Sequence, residues 1–167
     1  NRKHAEHRPF DRDLNARLES FELAYRMQSA APEAFDIAQE PEYIHEMYGL
    51  NRDDSKDYGR QCLLARRLIE RGVRFVQVFA SVPKTPGGGV GDVPWDGHSD
   101  IKLNHGTCAS TVDQPTGALL TDLKQRGLLE DTIVIYGGEF GRTSDSQGSA
   151  GRDHNPNAFT TWFAGGG

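Results

Sequence analysis

Apolar residues in the first part of the chain recur three and four positions apart. Leu14, Leu18, Phe21 and Tyr25 fall on one line with Gln28, and Leu23 and Met27 lie beside it. That spacing predicts a helix over 11–30. Pro32 and Pro41 then punctuate two shorter helical pieces that end at Tyr48-Gly49, and the polar run Asn51-Arg52-Asp53-Asp54-Ser55 is a loop. The pattern is renewed after Asp57. Cys62, Leu63, Leu64, Leu68 and Ile69 predict a helix over 58–71 that Asp57 can cap, with Arg66, Arg67 and Arg71 near its C-terminal end. Gly72 supplies the positive φ that ends such a helix, and Val73 to Phe79 reads as a strand, rich in β-branched and aromatic residues. The same order returns later. Asp113 is placed to cap a helix over 114–126 with Pro115 in its first turn, Gly127 ends it, and Thr132 to Tyr136 is a strand. Phe159 to Phe163 is a third strand.

A helix that passes through Arg-Gly into an apolar strand, twice, predicts an α/β fold with a largely parallel sheet covered by helices. The chain reads as one domain: a helical N-terminal segment over 11–50 and an α/β core over 57–167. Residues 81–112 join the first strand to the second helix and hold Pro83, Pro86, Gly87-Gly88-Gly89, Gly91 and Pro94. A structureless connection of that length is uncommon in a compact domain and is often functional. It follows the C-terminal end of a strand, the edge at which open α/β sheets bind ligands. The charged stretch that begins at Gly137 also follows a strand, so both loops are expected at one edge.

Composition narrows the function classes. A net charge of -5 argues against a nucleic-acid surface, which needs clustered Lys and Arg. No apolar run approaches the ~20 residues of a membrane span. Two cysteines, Cys62 and Cys108, are too few for a disulfide framework or a cysteine metal cage. The chain starts at Asn1 and stops at Gly165-Gly166-Gly167 just after a strand-like run, so both ends read as cut and any signal peptide as lying outside it.

The chemistry concentrates in the two loops. The first carries Trp95-Asp96-Gly97-His98-Ser99-Asp100 and then Asn104-His105; the second carries Glu139 and then Asp153-His154. If Asp96 to His98 is extended, both side chains point the same way. Carboxylates and imidazoles converging in this manner suit zinc, manganese or iron, and the candidate ligands are Asp96, His98, Glu139, Asp153 and His154. Asp96 and Asp100 also suit plain turn caps. His105 suits a surface position or a supporting one beside the ligands, as does Asp100. His4, His7 and His45 read as polar-face histidines, and Asp113 as only a helix cap. Glu139 sits at the end of an apolar strand and needs a cation or a strong donor there. Arg142 can be that donor; otherwise Arg142 and Arg152 can grip an anionic group bidentately.

At these residues the chain resembles a known family. "WDGH", "DQPTGALLTDLKQRGLLEDTIVIYGGEFGRT", "GRDHNP", "FTTWFAGGG" and "YGRQCLLARRLIERGVRFVQV" look like the bacterial domain-of-unknown-function family 1501, over most of 11–167. That family is similar to the alkaline phosphatase and sulfatase superfamily. The resemblance implies an alkaline-phosphatase-like core, mostly parallel sheet with flanking helices and metal ligands on loops after the strands. It implies an exported, metal-dependent hydrolase of phosphate or sulfate esters, with a divalent cofactor (zinc, manganese or calcium) and a small anionic ester or a sulfated or phosphorylated glycan as partner. The alternative is a non-catalytic domain that binds a metal or an anionic glycan. By the resemblance Asp96, His98, Glu139 and His154 match ligand positions, Asp153 stands beside His154, and Arg142 and Arg152 hold the anion. Phe140 stands where the superfamily has a further histidine ligand. The superfamily's nucleophile comes from the N-terminal half, so this chain alone is expected to be a poor enzyme.

Overall fold

The computed structural model describes residues 12–80, 95–146 and 149–167. By internal contacts the chain divides into two compact units, Asn1–Ile37 and Ala38–Gly167.

The described part of the first unit is one helix, α1 (Arg12–Phe35), which runs five residues beyond the expected end and straight through Pro32. A proline there loses its N–H bond to the preceding turn and crowds the carbonyl four residues back, yet the helix continues until Asp36 N donates to the Pro32 carbonyl. Along the apolar line, Leu14 and Leu18 are half-buried, while Phe21 and Tyr25 stay exposed.

A short 3-10 turn (Ile37–Gln39) begins at the last residue of the first unit, and the second unit continues with α2 (Glu42–Met47). Helix α3 (Lys56–Glu70) starts two residues earlier than its pattern suggested. Ser55, not Asp57, takes the cap position, and its hydroxyl is used to bond the Gly49 carbonyl at 2.9 Å. Asp57 lies in the first turn, where a carboxylate favours the helix dipole. Gly72 ends α3 at φ +82° and Gly127 ends the next helix at φ +69°, as the sequence suggested.

That next helix, α4, spans Ile101–Gln125 and corrects two expectations. The segment 101–112 is helical rather than loop, and Asp113 sits in mid-helix rather than at its cap. The cap is Asp100, whose Oδ1 accepts from Leu103 N at 3.1 Å. The first half of α4 holds Gly106, Thr107, Ser110 and Thr111, which weaken the helical signal. Inside the helix the hydroxyls of Thr107, Ser110 and Thr111 bond back to carbonyls one turn earlier.

Helix α3 packs on α4, and the core sits between them: Tyr58, Cys62, Leu63 and Ala65 against Cys108, Val112, Ala118 and Leu123, closed at one end by Ile44 and Tyr48. Gln114 Nε2 donates to the Glu46 and Met47 carbonyls, tying α4 to the end of α2. Beside the apolar core lies a charged one. Arg66 is 1% exposed and pairs with Glu40 (2.8 Å), Glu70 (2.7 Å) and Asp122 (2.9 Å). Arg67 also reaches Glu40, Arg126 reaches Asp122 and Glu70 at 2.7 Å each, and the Tyr48 hydroxyl donates to Asp122 at 3.1 Å. Each buried charge has an opposite charge against it, the condition under which burial is tolerated.

The sheet is where the sequence reading fails. The strands are β1 (Val134–Gly137), β2 (Gly141–Arg142), β3 (His154–Asn155) and β4 (Thr161–Ala164). They form two separate two-stranded antiparallel pairs, β1 with β4 and β2 with β3, so a mostly parallel, alkaline-phosphatase-like sheet is contradicted. Among the described residues there is no parallel pair. Val73 to Phe79 makes no ladder and leaves Phe75 and Phe79 exposed. The β1–β4 pair places Tyr136 opposite Trp162 with their rings stacked 5.3 Å apart, while Ile135 and Phe163 face each other on an exposed side. The glycine- and proline-rich residues 81–94 lie outside the described residues, as do His4 and His7.

Candidate metal centre

Two backbone hydrogen bonds bring the two charged loops together, and a third contact braces the second loop. The Ile101 N–H, at the start of α4, donates to the Ala150 carbonyl, and Arg152 N donates to the Gly97 carbonyl, each at 3.0 Å. On the other side, Thr143 N donates to the Asp153 carbonyl at 3.0 Å and its Oγ1 accepts from Asp153 N at 3.1 Å. The β2–β3 register then sets Arg142 opposite His154. Gly151 is buried at the crossing, and a Cβ there would collide with the His98 carbonyl, so the close approach needs glycine.

One oxygen is the focus of the result. Asp96 Oδ1 lies 3.0 Å from His98 Nε2, 2.8 Å from His154 Nε2 and 2.8 Å from Arg142 Nη2. One ligand atom from each of Asp96, His98 and His154 falls within 4.8 Å of the other two. Behind His98, Asp153 Oδ1 takes Nδ1 at 3.1 Å. With Nδ1 donating to Asp153, Nε2 is left to face Asp96, either as a second N–H donor or, without that proton, as a lone pair for a metal. Bonds of ~2.0–2.1 Å in a tetrahedral site would set ligand atoms roughly 3.3 Å apart. The two separations from Asp96 Oδ1, 3.0 and 2.8 Å, need to open by only a few tenths of an ångström.

Burial and charge fit a surface site. The side chains of His98 and His154 are each 47% exposed, and that of Arg142 is 19% exposed. Hydrogen bonding from His154, then from Arg142, lowers the Asp96 pKa to about 2, so the carboxylate is charged at neutral pH. The His98 and His154 rings lie 5.1 Å apart, and Phe140 packs 4.3 Å from the His154 ring. Phe140 therefore walls one side of the cluster.

The other expected site residues are placed differently. Asp100 caps α4. His105 donates from Nε2 to the Trp95 carbonyl at 3.3 Å and so supports the loop that carries Asp96. Glu139 is exposed on the bend between β1 and β2 and is not among the three groups that converge. Arg142 gives its guanidinium to Asp96, to the Trp95 carbonyl (3.2 Å) and to the Arg152 carbonyl (3.3 Å), not to Glu139. Arg152 donates from Nη1 to the Gly151 carbonyl at 2.7 Å. The Arg142–Asp96 pair escaped the sequence reading because the residues are far apart in the chain. An arginine one strand pairing from His154 was the only signal, and it required the antiparallel β2–β3 register.

A family model described as "Protein of unknown function (DUF1501)" matches residues 1–167. The chain belongs to the DUF1501 family. No curated protein and no solved structure matches it. Membership covers every residue of the site, from Trp95 to Asn155, and the description assigns the family no activity. No helix among the described residues is long and apolar enough to cross a membrane.

Proposed function

We propose that this chain binds one divalent metal ion through Asp96 Oδ1, His98 Nε2 and His154 Nε2, with Asp153 orienting His98. The observation that carries the reading is the convergence of the three ligand atoms with a carboxylate behind one imidazole, the arrangement that fixes ring orientation and raises ligand basicity at metal sites. Two nitrogens and one carboxylate oxygen suit zinc, or manganese or iron, better than calcium, which prefers all-oxygen cages. Three protein ligands leave a coordination position open, the pattern of a catalytic rather than a closed structural site.

For the intact protein we infer metal-dependent hydrolysis of a phosphate or sulfate ester. A metal bound here would polarise the ester and activate water. The chain's own part is to hold the ligands, with Asp153 and Phe140 fixing the two imidazoles and Arg152 presenting its guanidinium to an anionic oxygen. A second reading, metal-dependent binding of an anionic glycan without turnover, draws on one observation. Arg142, expected to grip the anion, is spent on Asp96 and two carbonyls.

Equilibrium dialysis against zinc, manganese and calcium tests the site, and assays with aryl phosphate and aryl sulfate esters separate the readings. One equivalent of zinc that is lost in both Asp96→Asn and His154→Gln supports the site. Failure of the wild-type chain to bind zinc or manganese overturns it. Turnover that depends on the metal and on His154 selects hydrolysis, and metal-dependent glycan retention without turnover selects binding.

A further inference from the structure

We propose that Arg142 is a resident counter-cation that competes with the metal for Asp96 and so holds the affinity of the site down. The inference rests on the metal reading above. Arg142 Nη2 lies 2.8 Å from Asp96 Oδ1, the same atom that both imidazole Nε2 atoms approach. A group that merely orients a ligand carboxylate ordinarily takes the oxygen that the metal does not use. Here both imidazoles and the guanidinium converge on Oδ1, so a metal entering between the imidazoles must displace the guanidinium from that oxygen or share it.

The guanidinium has little freedom to leave. Nη2 also donates to the Trp95 carbonyl at 3.2 Å and Nη1 to the Arg152 carbonyl at 3.3 Å. Phe140 lies beside it, with the Arg142 Cζ 5.9 Å from the ring centroid. The side chain is largely shielded, at 19% exposure, so water screens its charge less than it screens Asp96 at 51%. Two backbone carbonyls thus keep a fixed positive charge next to the position of a divalent ion. In the metal-free protein the same charge offsets Asp96 and keeps the cluster assembled. The site is pre-formed but restrained, and the metal must outcompete an internal cation as well as protons.

Competition and support predict opposite signs for one substitution. Arg142→Gln removes the charge and keeps an amide that can still donate to a backbone carbonyl. If Arg142 competes, the variant binds zinc more tightly than wild type, by about 10- to 100-fold, the span over which groups beside metal ligands ordinarily act. If Arg142 only orients Asp96, the variant binds more weakly. Zinc affinity is measured by competition with a chromophoric chelator, and urea unfolding checks that the variant is folded. Equal or weaker zinc binding by a folded Arg142→Gln overturns the proposal while leaving the metal site intact. A wild-type chain that binds no metal, with a variant that binds none either, sinks both. Should the variant not fold, the wild-type Arg142 Nη–Hη resonances decide: zinc saturation must shift them, because the oxygen that Nη2 holds is taken, and unshifted resonances overturn the competition.

Discussion

Arg142 and His154 face each other across the β2–β3 pair, and each places a nitrogen 2.8 Å from the same oxygen of Asp96. A two-residue strand pairing thereby decides which charges meet. His98 comes to the same oxygen from the other loop, and Asp153, the residue just before β3, closes the set from behind.

Asp153 acts through His98 in this arrangement. Asp153→Asn keeps the shape but leaves His98 Nδ1 without its charged partner. Zinc affinity should then fall by about 10- to 100-fold, the usual effect of losing a group behind a ligand histidine. Asp96→Asn, which removes a ligand, should cost more. Chelator competition on both variants checks the order, and an Asp153→Asn affinity equal to wild type would show that the carboxylate is idle.

Two glycines separate close approach from helix propensity. At Gly151 a Cβ would meet the His98 carbonyl, whereas at Gly106, inside α4, it would meet nothing within 4 Å. Gly151→Ala should lower stability by about 1–3 kcal/mol as the loops are forced apart, and should weaken zinc binding because His98 moves. Gly106→Ala should raise stability by roughly 0.5–1 kcal/mol, the helix-interior difference between the two residues. Urea midpoints for the pair give both signs, and a stabilised Gly151→Ala would refute the packing at the loop crossing.

The contrast shows what was legible in the sequence and what was not. Periodicity and capping located α3 and the second half of α4, and Gly72 and Gly127 marked their ends, because local spacing and a required positive φ are local facts. The composition of the loops identified Asp96, His98, Asp153 and His154, and these do come together. Strand partners are not local. The alternation in Thr132 to Tyr136 reports an extended, half-buried segment and says nothing of its neighbour, which is β4 running antiparallel. Val73 to Phe79 has the same composition and pairs with nothing described, so helix–glycine–strand order alone overstated the parallel sheet. The first half of α4 was hidden because threonine, serine and glycine read as loop until Asp100 and the back-bonding hydroxyls are seen in place.

Glu139 gives a test of exposure against motif position. It lies on an exposed bend, and Arg142 is committed to Asp96. Glu139→Gln should therefore leave zinc affinity unchanged and shift stability by no more than about 0.5 kcal/mol, as surface changes away from special features do. A large loss of metal from this variant would return Glu139 to the ligand set and require the β1–β2 bend to close over the site.

The charged core beside α3 and α4 should make stability fall in mild acid. Burial alone would raise the Glu40 pKa, but hydrogen bonds and charge from Arg66 and Arg67 outweigh it and hold the carboxyl below its usual 4.5. A carboxyl with a depressed folded-state pKa binds protons more weakly folded than unfolded. Its stabilising contribution is therefore fully present above the unfolded value near 4.5 and is lost as pH falls through the lower, folded value. Urea midpoints should hold between pH 7 and about 5.5 and drop below 4.5. Glu40→Gln should be less stable at neutral pH and should lose less on acidification, because the group that takes up the proton is gone. Asp122→Ala makes the complementary measurement. It strips a partner from Arg66, Arg126 and the Tyr48 hydroxyl at once, and leaving a buried guanidinium short of its counter-charge should cost about 3–5 kcal/mol. An acid slope in Glu40→Gln as steep as in wild type would assign the acid sensitivity to other carboxyls and remove Glu40 from the account.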